Sequence, residues 1–310
     1  MNDIEPINQT KLFGLSHFIK ELIHLYDSHK LPNRILLSGQ KGLGKSTLAY
    51  HFINYVLSKD EKLKYDLDKF EINTENQSYK TVLNKSNPNL ISVNIKEDNK
   101  SIEIDQIRNL ISQLNKSSFN NKPRFVLIDN IEFLNVNSIN ALLKILEEPS
   151  SNIFFILINN NKNILATLLS RCINFKISLS NKECLEISEK LIDKHLNIIL
   201  NNELINYYST PGNIYNLIKF SEDNKYDLKR LNLKELLKII IKNNYYKKNV
   251  LPKSLIYEFI EHYFSKINSS TTIQVHNIYQ YFINRISETR KFNLDEESLF
   301  MEIEEKILNG

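Results

Sequence analysis

A parallel α/β domain followed by two all-helical domains is the architecture this sequence predicts, and three observations carry the prediction. In the first half, apolar runs without polar alternation are separated by segments of helical periodicity: RILLSG (Arg34 to Gly39), NLISVNI (Asn89 to Ile95), FVLID (Phe125 to Asp129) and IFFILIN (Ile153 to Asn159). Strands covered on both faces read as continuous apolar runs, whereas half-solvated strands alternate, so these runs belong to a parallel sheet with helices on both sides. After Ser180 the β signal fades and helical spacing continues. A length of 310 residues exceeds the usual size of one domain, and 42% hydrophobic residues suffice for sizeable cores.

Taken in order, RILLSG leads into a helix over KSTLAYHFINYVL. Residues 59–88, rich in Lys, Asp and Asn, read as a polar insertion that Pro88 punctuates. NLISVNI precedes a helix capped by Asp105, with Ile107, Leu110, Ile111 and Leu114 on one face. FVLID precedes the helix SINALLKILEE, stopped by Pro149, and IFFILIN is the next strand. These elements define an α/β domain over residues 1–178. CLEISEKLIDKHLNIIL, NELINYYS and GNIYNLIKFSE read as three short helices, with a turn at Thr210-Pro211-Gly212, and define a small helical domain over 179–224. LKELLKIIIKN, KSLIYEFIEHYFSKI and TIQVHNIYQYFINRISETRKF define a second helical domain over 225–310.

Composition excludes several function classes. Two cysteines, Cys172 and Cys184, provide neither a disulfide framework nor a CxxC pair, so no zinc is expected. The start of the chain carries no basic leader, and no apolar run approaches the roughly 20 residues that span a bilayer, so a cytoplasmic protein without membrane contact is expected. A net charge of +4 with interleaved Lys, Asp and Glu says little about a polyanionic partner.

The chemistry concentrates at GQKGLGKST, Gly39 to Thr47, which satisfies GxxxxGK[ST] between an expected strand and an expected helix. Gly39, Gly42 and Gly44 let backbone N–H groups close around phosphate oxygens, Lys45 reaches the β and γ phosphates, and Ser46 with Thr47 opens the helix. ATP with Mg²⁺ is the expected ligand, Ser46 ligating the metal. Asp129, at the end of a second buried strand, joins the Mg²⁺ shell, or caps the segment that follows. Asn159 or Asn160, ending the strand IFFILIN, is either a polar sensor beside the phosphates or a strand-ending turn. Asn130 follows Asp129 where a hydrolytic NTPase usually carries Glu, and a neutral amide cannot take a proton from water. Glu132 could substitute as the base, but two residues along a strand is about 6 to 7 Å, too far to reach the same water, so it is expected as a solvated residue beginning the next turn.

The stretches LPNRILLSGQKGLGKSTLAYHF, NSINALLKILEEPSSNIFFILINN and ATLLSRCINF together resemble the bacterial clamp-loader subunits of DNA polymerase III, members of the AAA+ superfamily. The likeness covers most of residues 12–178 and extends over the helical remainder by pattern and length. It implies an AAA+ P-loop domain, a helical lid and an all-helical collar that holds a ring of subunits together, with Tyr263, Phe264, Tyr279, Tyr281 and Phe282 supplying apolar area or ordinary core. It also implies partnership with gamma/tau and delta subunits, and through them with the sliding clamp and primed DNA at the replisome.

The gamma/tau motor members carry a four-cysteine zinc module and an Asp-Glu pair, both missing here, and TRKFNLDEESLF is similar to the last helices of delta prime members. The resemblance is therefore to the delta prime kind. In SRC, Ser170 to Cys172, it implies that Arg171 is an arginine finger presented in trans to a neighbour's ATP; without the resemblance Arg171 reads as a surface salt bridge. The arginine of the lid that senses the γ-phosphate is missing, since TPGNIYNL offers Asn213 or Ile214 at that position. A motor-type ATPase is one alternative. Another AAA+ DNA-processing ATPase, such as a branch-migration motor, is a second, but no helix-turn-helix with a basic recognition helix is visible.

Overall fold

The computed structural model describes residues 5–95, 101–116, 120–147, 152–247, 251, 253–268, 273–292 and 294–308. Glu148 and Pro149, expected at a helix end, and the side chain of Tyr279 lie outside the described residues. The chain forms two compact units, Met1–Glu183 and Cys184–Gly310.

In the first unit α1 (Ser16–Asp27) precedes β1 (Arg34–Ser38), and α2 (Lys45–Leu57) and α3 (Gln77–Leu83) follow it. Then come β2 (Leu90–Val93), α4 (Ile104–Leu114), β3 (Arg124–Ile128), α5 (Val136–Glu147), β4 (Ile153–Asn159), α6 (Ala166–Leu169) and β5 (Ile173–Lys176). The five strands form one parallel sheet in the order β2-β3-β4-β1-β5. Register aligns their C-terminal ends: Ser38 lies opposite Asn159 on one side and Lys176 on the other, and Ile128 opposite Leu157 and Val93.

Strand residues alternate between two buried faces, which explains the unbroken apolar runs. Leu36, Val126, Ile128, Phe155 and Leu157 pack on one face with Ile107 and Leu110 of α4 and Leu142 and Leu146 of α5. On the other face Phe52 of α2 meets Phe125 edge-on, ring centroids 6.0 Å apart. Each such ring contributes on the order of 2–3 kcal/mol by leaving water.

Three features depart from the sequence reading. The cap of α4 is Glu103, whose N–H donates to the Gln106 side chain at 3.1 Å; Asp105 sits in the first turn and pairs with Arg108. The polar insertion holds α3, started by the Asn76 side chain, which accepts the Tyr79 N–H at 2.6 Å. Strand β5 was not foreseen, because a four-residue edge strand with Ile173 56% exposed lacks the apolar run that marks its neighbours.

The second unit is helical. α7 (Asn181–Ile192) begins at the end of the first unit; α8 (Leu196–Ile199), α9 (Asn202–Ile205), α10 (Pro211–Asn224), α11 (Leu233–Lys242), α12 (Lys253–Asn268), α13 (Ile273–Phe292) and α14 (Glu296–Ile303) follow. α11 opens with a reciprocal cap between Asn232 and Glu235, both bonds at 2.9 Å, and buries Leu233, Leu236, Leu237, Ile240 and Ile241. Residues expected as two helical domains fall into this one unit. The contacts crossing position 224/225 include Glu203 Oε2 accepting the Leu233 N–H at 3.1 Å and the Phe220 ring edge-on to Tyr245 at 4.9 Å. Phe264 and Phe282 are buried and stack at 5.7 Å, so both serve the unit's own core, whereas Tyr281 is exposed and donates to Glu302 at 2.8 Å. Among the described residues no helix is long and apolar enough to cross a membrane.

Candidate nucleotide site

The loop from β1 to α2 has the backbone geometry a phosphate-binding loop needs. Gly39 has φ +152°, and a Cβ there would lie 2.3 Å from the Ile177 carbonyl oxygen, so only glycine fits. Gly42 and Gly44 have φ of 87° and 84°. Gly44 is the N-cap of α2 and has no side chain to bond the helix's first N–H groups, which stay available to an anion alongside the helix dipole. Thr47 stands half-buried in the first turn of α2.

Lys45 is buried and donates to the carbonyls of Gly39 at 2.9 Å and Gln40 at 2.6 Å. Burial pulls its pKa down to about 8, although Asp129 and Glu132 favour its charge. Ser46 Oγ donates to Asp129 Oδ2 at 2.6 Å, and the Asn130 N–H donates to Asp129 Oδ1 at 2.7 Å. Burial raises the Asp129 pKa, with Ser46, the Asn130 N–H and Lys45 acting against it and Glu132 with it. The hydroxyl and carboxylate that would share a Mg²⁺ shell thus already touch, and the residues present fit ATP with Mg²⁺. The loop N–H groups and Lys45 would hold phosphates, and Ser46 and Asp129 would hold the metal.

Sequence reading separated poorly what happens beyond Asp129. Strand β3 ends at Ile128, Asn130 takes the left-handed conformation (φ 58°, ψ 48°), and Ile131–Phe133 form a 3₁₀ turn. Glu132 therefore lies in the turn that follows the strand, as expected, but it is not freely solvated. It is half-buried, its charge acts on both Lys45 and Asp129, and its carboxylate accepts from Asn160 Nδ2 at 3.1 Å and the Asn160 N–H at 3.3 Å. Asn130 donates to Asn94 at 3.1 Å and accepts from Asn160 Nδ2 at 2.8 Å. The two Asn candidates separate cleanly. Asn159 closes a turn with both ends of its amide on the Lys162 backbone, at 2.9 and 3.2 Å, while Asn160 faces the acidic cluster. Tyr50, one turn beyond Ser46, is a residue the sequence reading did not single out; burial and then the charge of Asp129 push its pKa up to about 12.

At the opposite end of the strands, Arg171 stands between α6 and β5. β5 enters beside β1 with Ile173 opposite Ile35, so Arg171 lies near Arg34, at the N-terminal ends of the strands. Nη1 of Arg171 donates to the Thr167 carbonyl at 2.9 Å and Nη2 to Glu147 Oε1 at 2.7 Å. A cavity of about 510 Å³ there is lined by Arg34, Ser170, Arg171 and Ile173 among others. Leu165, Leu169 and Ile173 are exposed. Burial pushes the Cys172 thiol up to about 11, so it is an inert core group. In the second unit Asn213 and Ile214 are both buried; Asn213 donates to Glu258 at 3.2 Å, so the start of α10 presents no cation.

A parallel sheet with the glycine-rich loop after an inner strand, and with Asp129 and Asn160 at neighbouring strand ends, defines a P-loop domain of the AAA+ kind. A model of the family described as "DNA polymerase III, delta subunit" matches residues 14–181. The chain belongs to this family and is delta prime-like. It is 29% identical over 249 residues to the DNA polymerase III subunit delta' of Buchnera aphidicola subsp. Baizongia pistaciae, covering 71% of this chain and 70% of that one. It is 26% identical over 180 residues to the subunit gamma of Buchnera aphidicola subsp. Schizaphis graminum, covering 57% of this chain and 47%, about half, of that relative. Among solved structures, a DNA polymerase III gamma subunit-related protein of Thermotoga maritima aligns over 93% of this chain and 95% of its own, at 15% identity and a TM-score of 0.43.

Proposed function

We propose that this chain is the delta prime-type subunit of a DNA polymerase III clamp loader, binding ATP and Mg²⁺ at its own loop and supplying Arg171 in trans to a neighbouring gamma/tau ATPase. The observation that carries the reading is the separation of Arg171 from Lys45. β1 alone, from Arg34 to Ser38, spans roughly 13 Å at about 3.3 Å per residue, and the two groups lie beyond opposite ends of it. A guanidinium so placed cannot serve its own nucleotide, but it can reach one held against that end of the strands. Its planar, permanently charged fork suits charge developing on a transferred γ-phosphoryl group.

At the chain's own site, loop N–H groups and Lys45 bind phosphate, Ser46 and Asp129 bind the metal, and Asn160 stands beside them. Mg²⁺, when bound, neutralises charge between the β and γ phosphates. Asn130 takes no proton from water, so this site holds nucleotide rather than turning it over. Partners are gamma/tau and delta, and through the assembly the sliding clamp and primed DNA, in the cytoplasm at the replisome; the helical unit supplies the lid and the collar.

The test is reconstitution with the partner subunits. Arg171→Ala should leave the assembly intact and lower hydrolysis at the site it faces by about 10³-fold or more, with loss of clamp loading. Unchanged DNA-stimulated ATPase would end the trans-finger reading. One observation favours a second reading, a motor-type ATPase: Glu132 lies within electrostatic reach of Lys45. Turnover by the isolated chain that disappears in Lys45→Ala would select that alternative.

A further inference from the structure

We infer that Glu147 is the positioning residue for Arg171, holding the guanidinium in the pose in which it meets a neighbour's phosphate; this rests on the trans-finger reading. Glu147 is the last residue of α5, and that end of the helix is fixed from two sides. Leu146 is fully buried, and its carbonyl accepts from Arg34 Nη1. Glu147 Oε1 then accepts from Arg171 Nη2 at 2.7 Å, while Arg171 Nη1 bonds the Thr167 carbonyl at 2.9 Å. One bond ties Arg171 to its own helical turn and the other to a different helix, so the fork has a fixed direction. A guanidinium has five N–H donors, so the remaining three can meet a phosphate without releasing Glu147.

The energetics favour a role in chemistry over one in folding. The pair is open to water, the Arg171 side chain 31% and the Glu147 side chain 54% exposed, and such pairs contribute only about 0–1 kcal/mol to stability. Loosening a catalytic side chain by about an ångström can nevertheless cost up to about 10²-fold in rate.

The experiment uses the full chain in the reconstituted complex with gamma/tau and delta, and compares Glu147→Ala, Glu147→Gln, Arg171→Ala and the double Ala variant. DNA-stimulated ATPase is read as kcat and KM for ATP. Glu147→Ala should lower kcat about 3- to 30-fold with KM within about twofold, the pattern of an interaction realised in the transition state. Glu147→Gln, which keeps an acceptor oxygen at the same reach, should recover most of the loss. The double variant should match Arg171→Ala, because Glu147 acts only through the arginine. A wild-type rate in Glu147→Ala, a rate above wild type, or a double variant slower than Arg171→Ala would overturn the inference. If Arg171→Ala itself is silent, the trans-finger reading falls; if it is slow while Glu147→Ala is not, only the positioning role falls.

Discussion

On the proposed reading, nucleotide affinity at the loop should weaken with rising pH, because Lys45 would be the cation on which the phosphates depend. Burial pulls its pKa down to about 8. A bound polyphosphate favours the ammonium form, so the bound-state pKa is higher, and binding above pH 8 must take up a proton. The sign follows: affinity is full well below pH 8 and declines above it. With a pKa of about 8, the protonated fraction falls from about 0.9 at pH 7 to about 0.1 at pH 9, a loss of about tenfold in affinity, or about 1.4 kcal/mol. Titrating the isolated chain with a fluorescent, non-hydrolysable ATP analogue and Mg²⁺ across this range measures the effect directly. Lys45→Arg is the control, since a guanidinium stays charged throughout and should flatten the profile. A pH-independent dissociation constant in the wild type, or the same slope in Lys45→Arg, would refute the assignment of Lys45 as the depressed cation.

Two further predictions concern how the cradle is supported. His51 is fully buried between Tyr65, at 2.9 Å, and the Gln9 carbonyl, at 3.0 Å, and burial pulls its pKa from 6.5 to about 4. The unfolded chain therefore binds a proton that the folded chain refuses, and about 3 kcal/mol of stability, present above pH 6.5, should be lost as pH falls toward 4; urea titrations at stepped pH test this, and His51→Gln should abolish that part of the slope. Gly39→Ala sets a Cβ against the Ile177 carbonyl oxygen and should abolish analogue binding and lower the melting temperature by several degrees, by calorimetry; an unchanged melting temperature would show that the close approach to Ile177 does not constrain the loop.

The elements legible in the sequence are those with a local signature. β1, β3 and β4 are buried on both faces and so announce themselves as apolar runs, and the glycines at positions 39, 42 and 44 have the left-handed φ angles or close contacts that their spacing requires. α1 was passed over although Ile19, Leu22 and Ile23 carry its buried stripe. What could not be read depends on residues distant in sequence. Asn33 Nδ2 reaches the Ile153 carbonyl, 120 positions away, and Glu147 meets Arg171 across 24, with no periodicity linking either pair. The different partners of Asn159, which bonds the Lys162 backbone, and Asn160, which meets Asn130 and Glu132, likewise depend on where β4 stops.

The same logic changes the meaning of the Asn130 position. As a one-dimensional substitution it removes a base; in space it also adds a cross-link. Asn is among the few non-glycine residues that adopt the left-handed conformation readily, and this one uses both ends of its amide, donating to Asn94 after β2 and accepting from Asn160 after β4. Three neighbouring strand ends are thereby tied beside Asp129. The carboxylate that the turn brings back, Glu132, has both oxygens engaged by Asn160 donors rather than aimed at open solvent. Lost base, engaged carboxylate and cross-linked strand ends all favour a rigid, phosphate-holding pocket over one that activates water. A pocket of that kind suits a subunit whose proposed contribution is made at the opposite end of the strands, through Arg171.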